Sequence, residues 1–147
     1  MRIFLCFQGE QFEISLKLAN EMSLIKEMLE ECEDEEDDQE IPIMIEERFI
    51  TKEGLQLFLN TVETETYLNG LNQIKNKKGI QDSFAAWLKL TDYLDVKKLI
   101  QPLREFCLAN CHELNVNLEA EGNQIFKDEN ELLQVKKEFY AHLKPKF

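Results

Sequence analysis

The stretch SFAAWLKLTDYLDVKKLIQPLREFCLA, residues 83–109, carries two amphipathic helical patterns joined by a tight corner at Tyr93-Leu94-Asp95. Before the corner, Phe84, Trp87, Leu88 and Thr91 fall at i, i+3, i+4 and i+7. After it, Val96, Leu99, Ile100, Leu103 and Cys107 keep helical spacing. Two helices packed through such stripes form the expected centre of the fold, with the corner held rigidly at the surface. Asp95 is placed to cap the second helix, accepting from its exposed amides. Pro102 has no N–H to give a helix interior, so a kink or a helix restart is expected there.

Upstream, IFLCF (3–7) and QFEISL (11–16) are apolar runs around Gln8-Gly9-Glu10, a hairpin pattern with a glycine turn. Phe12, Ile14 and Leu16 alternate with polar neighbours, as a half-buried strand does. Ser23 is the expected cap of a short helix with Leu24, Ile25, Met28 and Leu29 on one face. Ile41, Ile43 and Ile45 alternate along a third strand, with Pro42 near its start, where an edge tolerates it. Thr51 reads as the cap of a helix striped by Leu55, Phe58, Leu59 and Val62. Residues 63–82 are polar and hold Gly70 and Gly79. They read as an insertion of weak structure in which Tyr67, Leu68, Leu71 and Ile74 could form a short helix.

Charge is distributed unevenly. The chain of 147 residues has a net charge of −12 and 44% hydrophobic residues, enough for one domain with its own core. Nine of the eleven residues from Glu30 to Glu40 are acidic, which leaves 20 acidic against 17 basic residues elsewhere. Like charges repel and resist burial, so the run 30–40 is expected to be a solvated loop, poorly ordered over 33–39. It lacks the glycine and alternating ligands of an EF-hand loop. With no basic patch, nucleic acid is disfavoured as a partner. No apolar run approaches the length of a membrane span, and the N-terminus lacks the pattern of a secretory leader.

Cys6, Cys32, Cys107 and Cys111 do not argue for disulfides in a chain without a leader. Cys107, Cys111 and His112 form at most half of a zinc site, so no metal or other cofactor is expected. His142, the other histidine, stands in no nucleophile–base pattern. No glycine-rich phosphate loop is present, and no carboxylate pair is singled out. Nothing in the residues speaks for an enzyme. Beyond Cys111, Asp128 could cap a last helix with Leu132, Val135, Phe139 and Leu143 on one face. The whole reads as an α+β chain: a small sheet and a helical cluster over 1–111, then a C-terminal helical extension over 112–147.

The order of elements, FEISLKLANEMSLIKEMLEE (12–31), the acidic run leading into IPIMI (41–45), and above all LTDYLDVKKLI (90–100) resemble the BTB/POZ fold. Within it the chain is similar to the S-phase-kinase-associated adaptor family, of which elongin C is a relative. The resemblance covers roughly residues 1–110. It implies a non-enzymatic adaptor that joins a cullin to F-box substrate receptors in a ubiquitin ligase, in the cytoplasm or nucleus, or in the host cytoplasm for a pathogen's mimic. The alternative is a BTB interaction or homodimerisation module outside that system.

By the resemblance, Asp92 and Tyr93 at the corner would contact the cullin, with Asp92 standing where that family has asparagine. A helical receptor would need an apolar groove. Leu103, Phe106 and Cys107 of the second helix, with Leu132, Val135 and Phe139 of the last, are the expected lining, partly exposed in the free protein. The family's Lys-Thr-Pro-Glu-Glu-Ile-type segment is not found in the tail.

Overall fold

The computed structural model describes residues 2–31, 37–45, 49–75 and 83–110. The three-stranded sheet and the helices packed on it make an α+β arrangement. Strands β1 (Ile3–Phe7) and β2 (Glu10–Ile14) form the expected antiparallel hairpin, with Ile3 opposite Ile14 and Phe7 opposite Glu10. Its two-residue turn has φ of 53° at Gln8 and 76° at Gly9. Positive φ at both central residues is what a type I′ turn requires, and Gly9 supplies one without steric cost.

β2 stops at Ile14 instead of running on to Leu16. Ser15 accepts from the Leu18 amide at 3.1 Å and starts helix α1 (Leu16–Glu21). Leu16 therefore leaves the strand alternation and lies 59% exposed. Helix α2 (Ser23–Glu30) follows at once. Ser23 is its first residue rather than its cap; the cap is Met22, without a side-chain bond. The Ser23 amide instead donates to the Asp95 carbonyl at 3.1 Å, tying α2 to the distant corner.

Strand β3 (Gln39–Pro42) lies parallel to β1 on an edge, in the order β2-β1-β3. The strand lies earlier than expected: Pro42 is its last residue rather than near its start, and Ile43 and Ile45 follow it, although the alternation holds, with Ile41, Ile43 and Ile45 buried and Pro42 and Met44 exposed. The end of the acidic run is also ordered. Asp38 accepts from the Arg2 amide at 2.9 Å, and the Gln39 amide donates to the Arg2 carbonyl at 2.8 Å. The expectation of poor order over 33–39 thus fails at 37–39, where Asp37 and Asp38 make hydrogen bonds and the parallel ladder begins at Gln39. Residues 32–36 lie outside the described residues.

Four helices complete the core: α3 (Lys52–Thr64), α4 (Tyr67–Lys75), α5 (Phe84–Leu94) and α6 (Lys97–Ala109). Thr51 caps α3 through the Gly54 amide at 3.0 Å, and Ser83 caps α5 through the Ala86 amide at 3.2 Å. The stripes Leu55-Phe58-Leu59-Val62 and Phe84-Trp87-Leu88-Thr91 are wholly buried. Val96, Leu99 and Leu103 of α6 join them. α6 runs unbroken through Pro102, with no restart. The proline sits early in the helix, so the lost amide removes a single bond near the first turns.

The corners α3–α4 and α5–α6 share one device. Glu65 and Asp95 both adopt left-handed backbone, with φ of 58° and 55°. The following amides, of Thr66 and Val96, reach back to the carbonyls of Thr61 and Thr91. This is the bond pattern of a Schellman helix end. Asp95 therefore terminates α5 and does not cap α6, whose cap is Val96 without a side-chain bond. Aspartate tolerates the left-handed region better than most residues, because its short polar side chain bonds locally.

Within 63–75 the segment is not weak structure but takes the short helix its spacing offered; residues 76–82 lie outside the described residues. α4 buries Gly70, Leu71 and Ile74 and packs closely on α3. A Cβ on Gly70 would stand 2.5 Å from Thr61 Oγ1 and 2.7 Å from its Cγ2. Gly70→Ala should therefore destabilise the fold by a net of about 1–2 kcal/mol. That is an overpacking cost of about 1–3 kcal/mol less about 1 kcal/mol recovered in helix propensity. Urea unfolding measures it. Combining Gly70→Ala with Thr61→Ala should prove milder than the sum of the singles by about 1 kcal/mol; simple additivity would show that α3 and α4 part freely.

Candidate functional site

The α5–α6 corner presents the two residues singled out for cullin contact. The α5 stripe faces inward through Trp87, Leu90, Thr91 and Leu94, all buried. That phase leaves Asp92 exposed and Tyr93 half-buried, packed by its ring against the core. The Tyr93 phenol accepts from the Met44 amide at 3.1 Å. Tyr93 thus does two things: its ring covers the helix pair, and its hydroxyl pins the chain just past β3. Thr91 donates to the Trp87 carbonyl at 2.8 Å, and Val96 is buried, so the backbone on both sides of the corner is fixed.

Met44 is the residue that sequence reasoning missed here. It is 75% exposed, the largest exposure among the large hydrophobic side chains described. Strand alternation alone points it outward, but nothing in the alternation places it beside Tyr93. The link runs from a side chain to a backbone amide, which leaves no residue pattern. Tyr93, Met44 and Asp92 give the corner an aromatic, an apolar and an anionic group on a rigid frame.

The second expected face is changed. Leu103 is fully buried, and Phe106, 4% exposed, shows only its edge at the α4–α6 groove described below. Leu103 belongs to the buried stripe of α6 with Val96 and Leu99. Phe106 stacks on Phe84 with ring centroids 6.1 Å apart. The side chain of Cys107, and Leu132, Val135 and Phe139, lie outside the described residues. So do Cys111 and His112; among the described residues no cluster of His, Cys, Asp or Glu could hold a metal.

A groove does exist, between α4 and α6. It holds about 420 Å³ and is lined by Tyr67, Leu68, Leu71, Pro102 and Phe106, with Glu65 and Glu105 at its edge. Leu68 stands 66% exposed in it. The spacing Tyr67, Leu68, Leu71, Ile74 carries the signal for α4. Near the edge, Lys98 pairs with Glu21 at 2.9 Å and with Glu65 at 3.5 Å. The hydrogen bond to Glu21 is the chief reason that the lysine ammonium is held above its ordinary pKa. Burial is the chief reason that the Tyr67 phenol is raised, with the Glu65 charge second. Both groups therefore keep their protons through neutral pH, and the groove's acidic rim faces an unionised phenol.

Comparison with protein-family models, with curated proteins and with solved structures returned no match. Among the described residues, no helix is long and apolar enough to cross a membrane.

Proposed function

We propose that this chain is a non-enzymatic adaptor of BTB/POZ type that joins a cullin scaffold to an F-box substrate receptor. The observation that carries the reading is the corner: within LTDYLDVKKLI, Asp92 is exposed and Tyr93 is half-buried on a fixed frame. The stretch that most resembles the adaptor family thus carries an exposed acid beside a half-buried aromatic, which supports a protein partner there. An aromatic whose ring is already immobilised loses little side-chain entropy on binding. The hairpin, the parallel third strand after the acidic run and the helix–corner–helix are compatible with that family's order of elements. The working compartment would be the cytoplasm or nucleus.

Affinity purification with quantitative mass spectrometry tests this directly. A cullin recovered together with F-box proteins is the expected result. Recovery of a second copy of this chain alone would replace the adaptor reading with that of a homodimerising module.

A further inference from the structure

We propose that Asn69-Gly70 is a deamidation site that helix α4 holds shut, and that its reaction parts α4 from α3. The pair is the chain's only Asn-Gly. It lies inside α4, with Asn69 exposed and Gly70 buried. The chemistry is intramolecular. The Gly70 nitrogen bonds to Asn69 Cγ, the Cγ–Nδ2 bond breaks, and the proton from that nitrogen leaves with the ammonia. Water then opens the succinimide at either carbonyl and yields aspartate or isoaspartate. Glycine favours the first step, because it has no Cβ to crowd the closing ring and reaches backbone angles closed to other residues.

The fold blocks that step in two ways. Helical backbone at Asn69 keeps the Gly70 nitrogen turned away from Cγ. The same nitrogen's N–H donates to the Thr66 carbonyl at 3.1 Å. Both restraints last only while α4 is wound. With nine residues it is too short to persist alone, so it depends on buried Leu71 and Ile74 and on the fit of Gly70 against Thr61. The reaction therefore proceeds from the opened helix, and its rate reads how often α4 opens. The outcome is one-way. Isoaspartate adds a backbone carbon just before Gly70, which moves the glycine out of its close approach to Thr61. The inference needs no partner and stands apart from the adaptor reading.

The test is ageing of the purified full chain in mildly alkaline buffer, with peptide mapping for the mass gain of amide-to-acid conversion at position 69. The chain unfolded in guanidinium should convert at least about tenfold faster than the native chain, the factor set by an opening cost of about 1.4 kcal/mol. Ile74→Ala loosens α4, leaves the Asn-Gly pair intact, and should raise the native rate at least about tenfold. Guanidinium below the unfolding midpoint is the second way to loosen the helix. It should raise the rate of the unsubstituted chain before circular dichroism changes. The acidic product, recovered by ion exchange, should unfold at lower urea than Asn69→Asp, which carries the charge on an ordinary backbone. Equal native and unfolded rates, a native rate unmoved by loosening, or a product as stable as Asn69→Asp would each overturn the proposal.

Discussion

Trp87→Ala should lower folding stability by about 3–5 kcal/mol, the range for removing a large buried aromatic. Against a typical total of about 5–15 kcal/mol, that is enough to unfold a marginal domain. Trp87 has no exposed surface and sits in the middle of α5, which packs on α2, α4 and α6. Its ring meets Phe58 of α3 edge to face, with centroids 5.2 Å apart and planes at 83°. Truncation would leave a void that the surrounding helices close only by shifting together. The indole Nε1 is buried without an acceptor among the described residues. An orphaned donor costs about 1–3 kcal/mol, so the native residue already works against a penalty. Trp87→Phe removes that donor along with part of the volume and should cost much less than the alanine variant. Urea unfolding followed by circular dichroism separates the two. Equal losses would mean that the unpaired N–H costs nothing.

At the corner, Tyr93→Ala combined with Asp92→Ala should weaken binding to a cullin by about 2 kcal/mol or more, on the order of a 30-fold loss. The aromatic carries most of this, because buried aromatic anchors dominate interfaces while rim charges act mainly on association rate. Losing the phenol also releases the Met44 amide. That bond is near solvent and should be worth about 1 kcal/mol of stability. Tyr93→Phe keeps the ring and removes only the hydroxyl. It should retain most of the affinity if the ring is the anchor. Calorimetric titration against the cullin N-terminal region gives the numbers, with circular dichroism confirming the fold. Unchanged affinity in a folded double variant would refute the assignment of the corner.

What the residues revealed in advance follows from how each element is specified. The α3 and α5 stripes are legible because four apolar positions at helical spacing follow a Thr or Ser cap, and each cap makes its bond. The hairpin is legible because Gly9 punctuates two apolar runs. α1 was hidden because Leu16 continues the strand alternation, so the Ser15 cap went unread. The spacing of Tyr67, Leu68, Leu71 and Ile74 offers α4, but its packing is not legible, because Gly70 serves a close approach to Thr61 that is visible only once α3 is beside it. Asp95 misled because an acid between two helices can end one or begin the next, and the left-handed backbone decided for the first. At the candidate site, the position of Tyr93 was legible and its bond to Met44 was not. The burial of Leu103 and Phe106 is not legible in the sequence, because the pattern of a single helix does not reveal what covers it.

The parallel pairing of β1 with β3 governs the order in which the molecule assembles. The hairpin closes over two residues and needs no distant contact. The third strand joins only when everything between Phe7 and Gln39 has been drawn into a loop, and the densest negative charge of the chain lies within that loop. Closing it pays chain entropy and compresses like charges together, before any ladder bond compensates. The edge strand, and with it the Met44 amide that Tyr93 holds, should thus arrive late in folding. Dissolved salt, by screening the repulsion, speeds that step more than it alters the finished core.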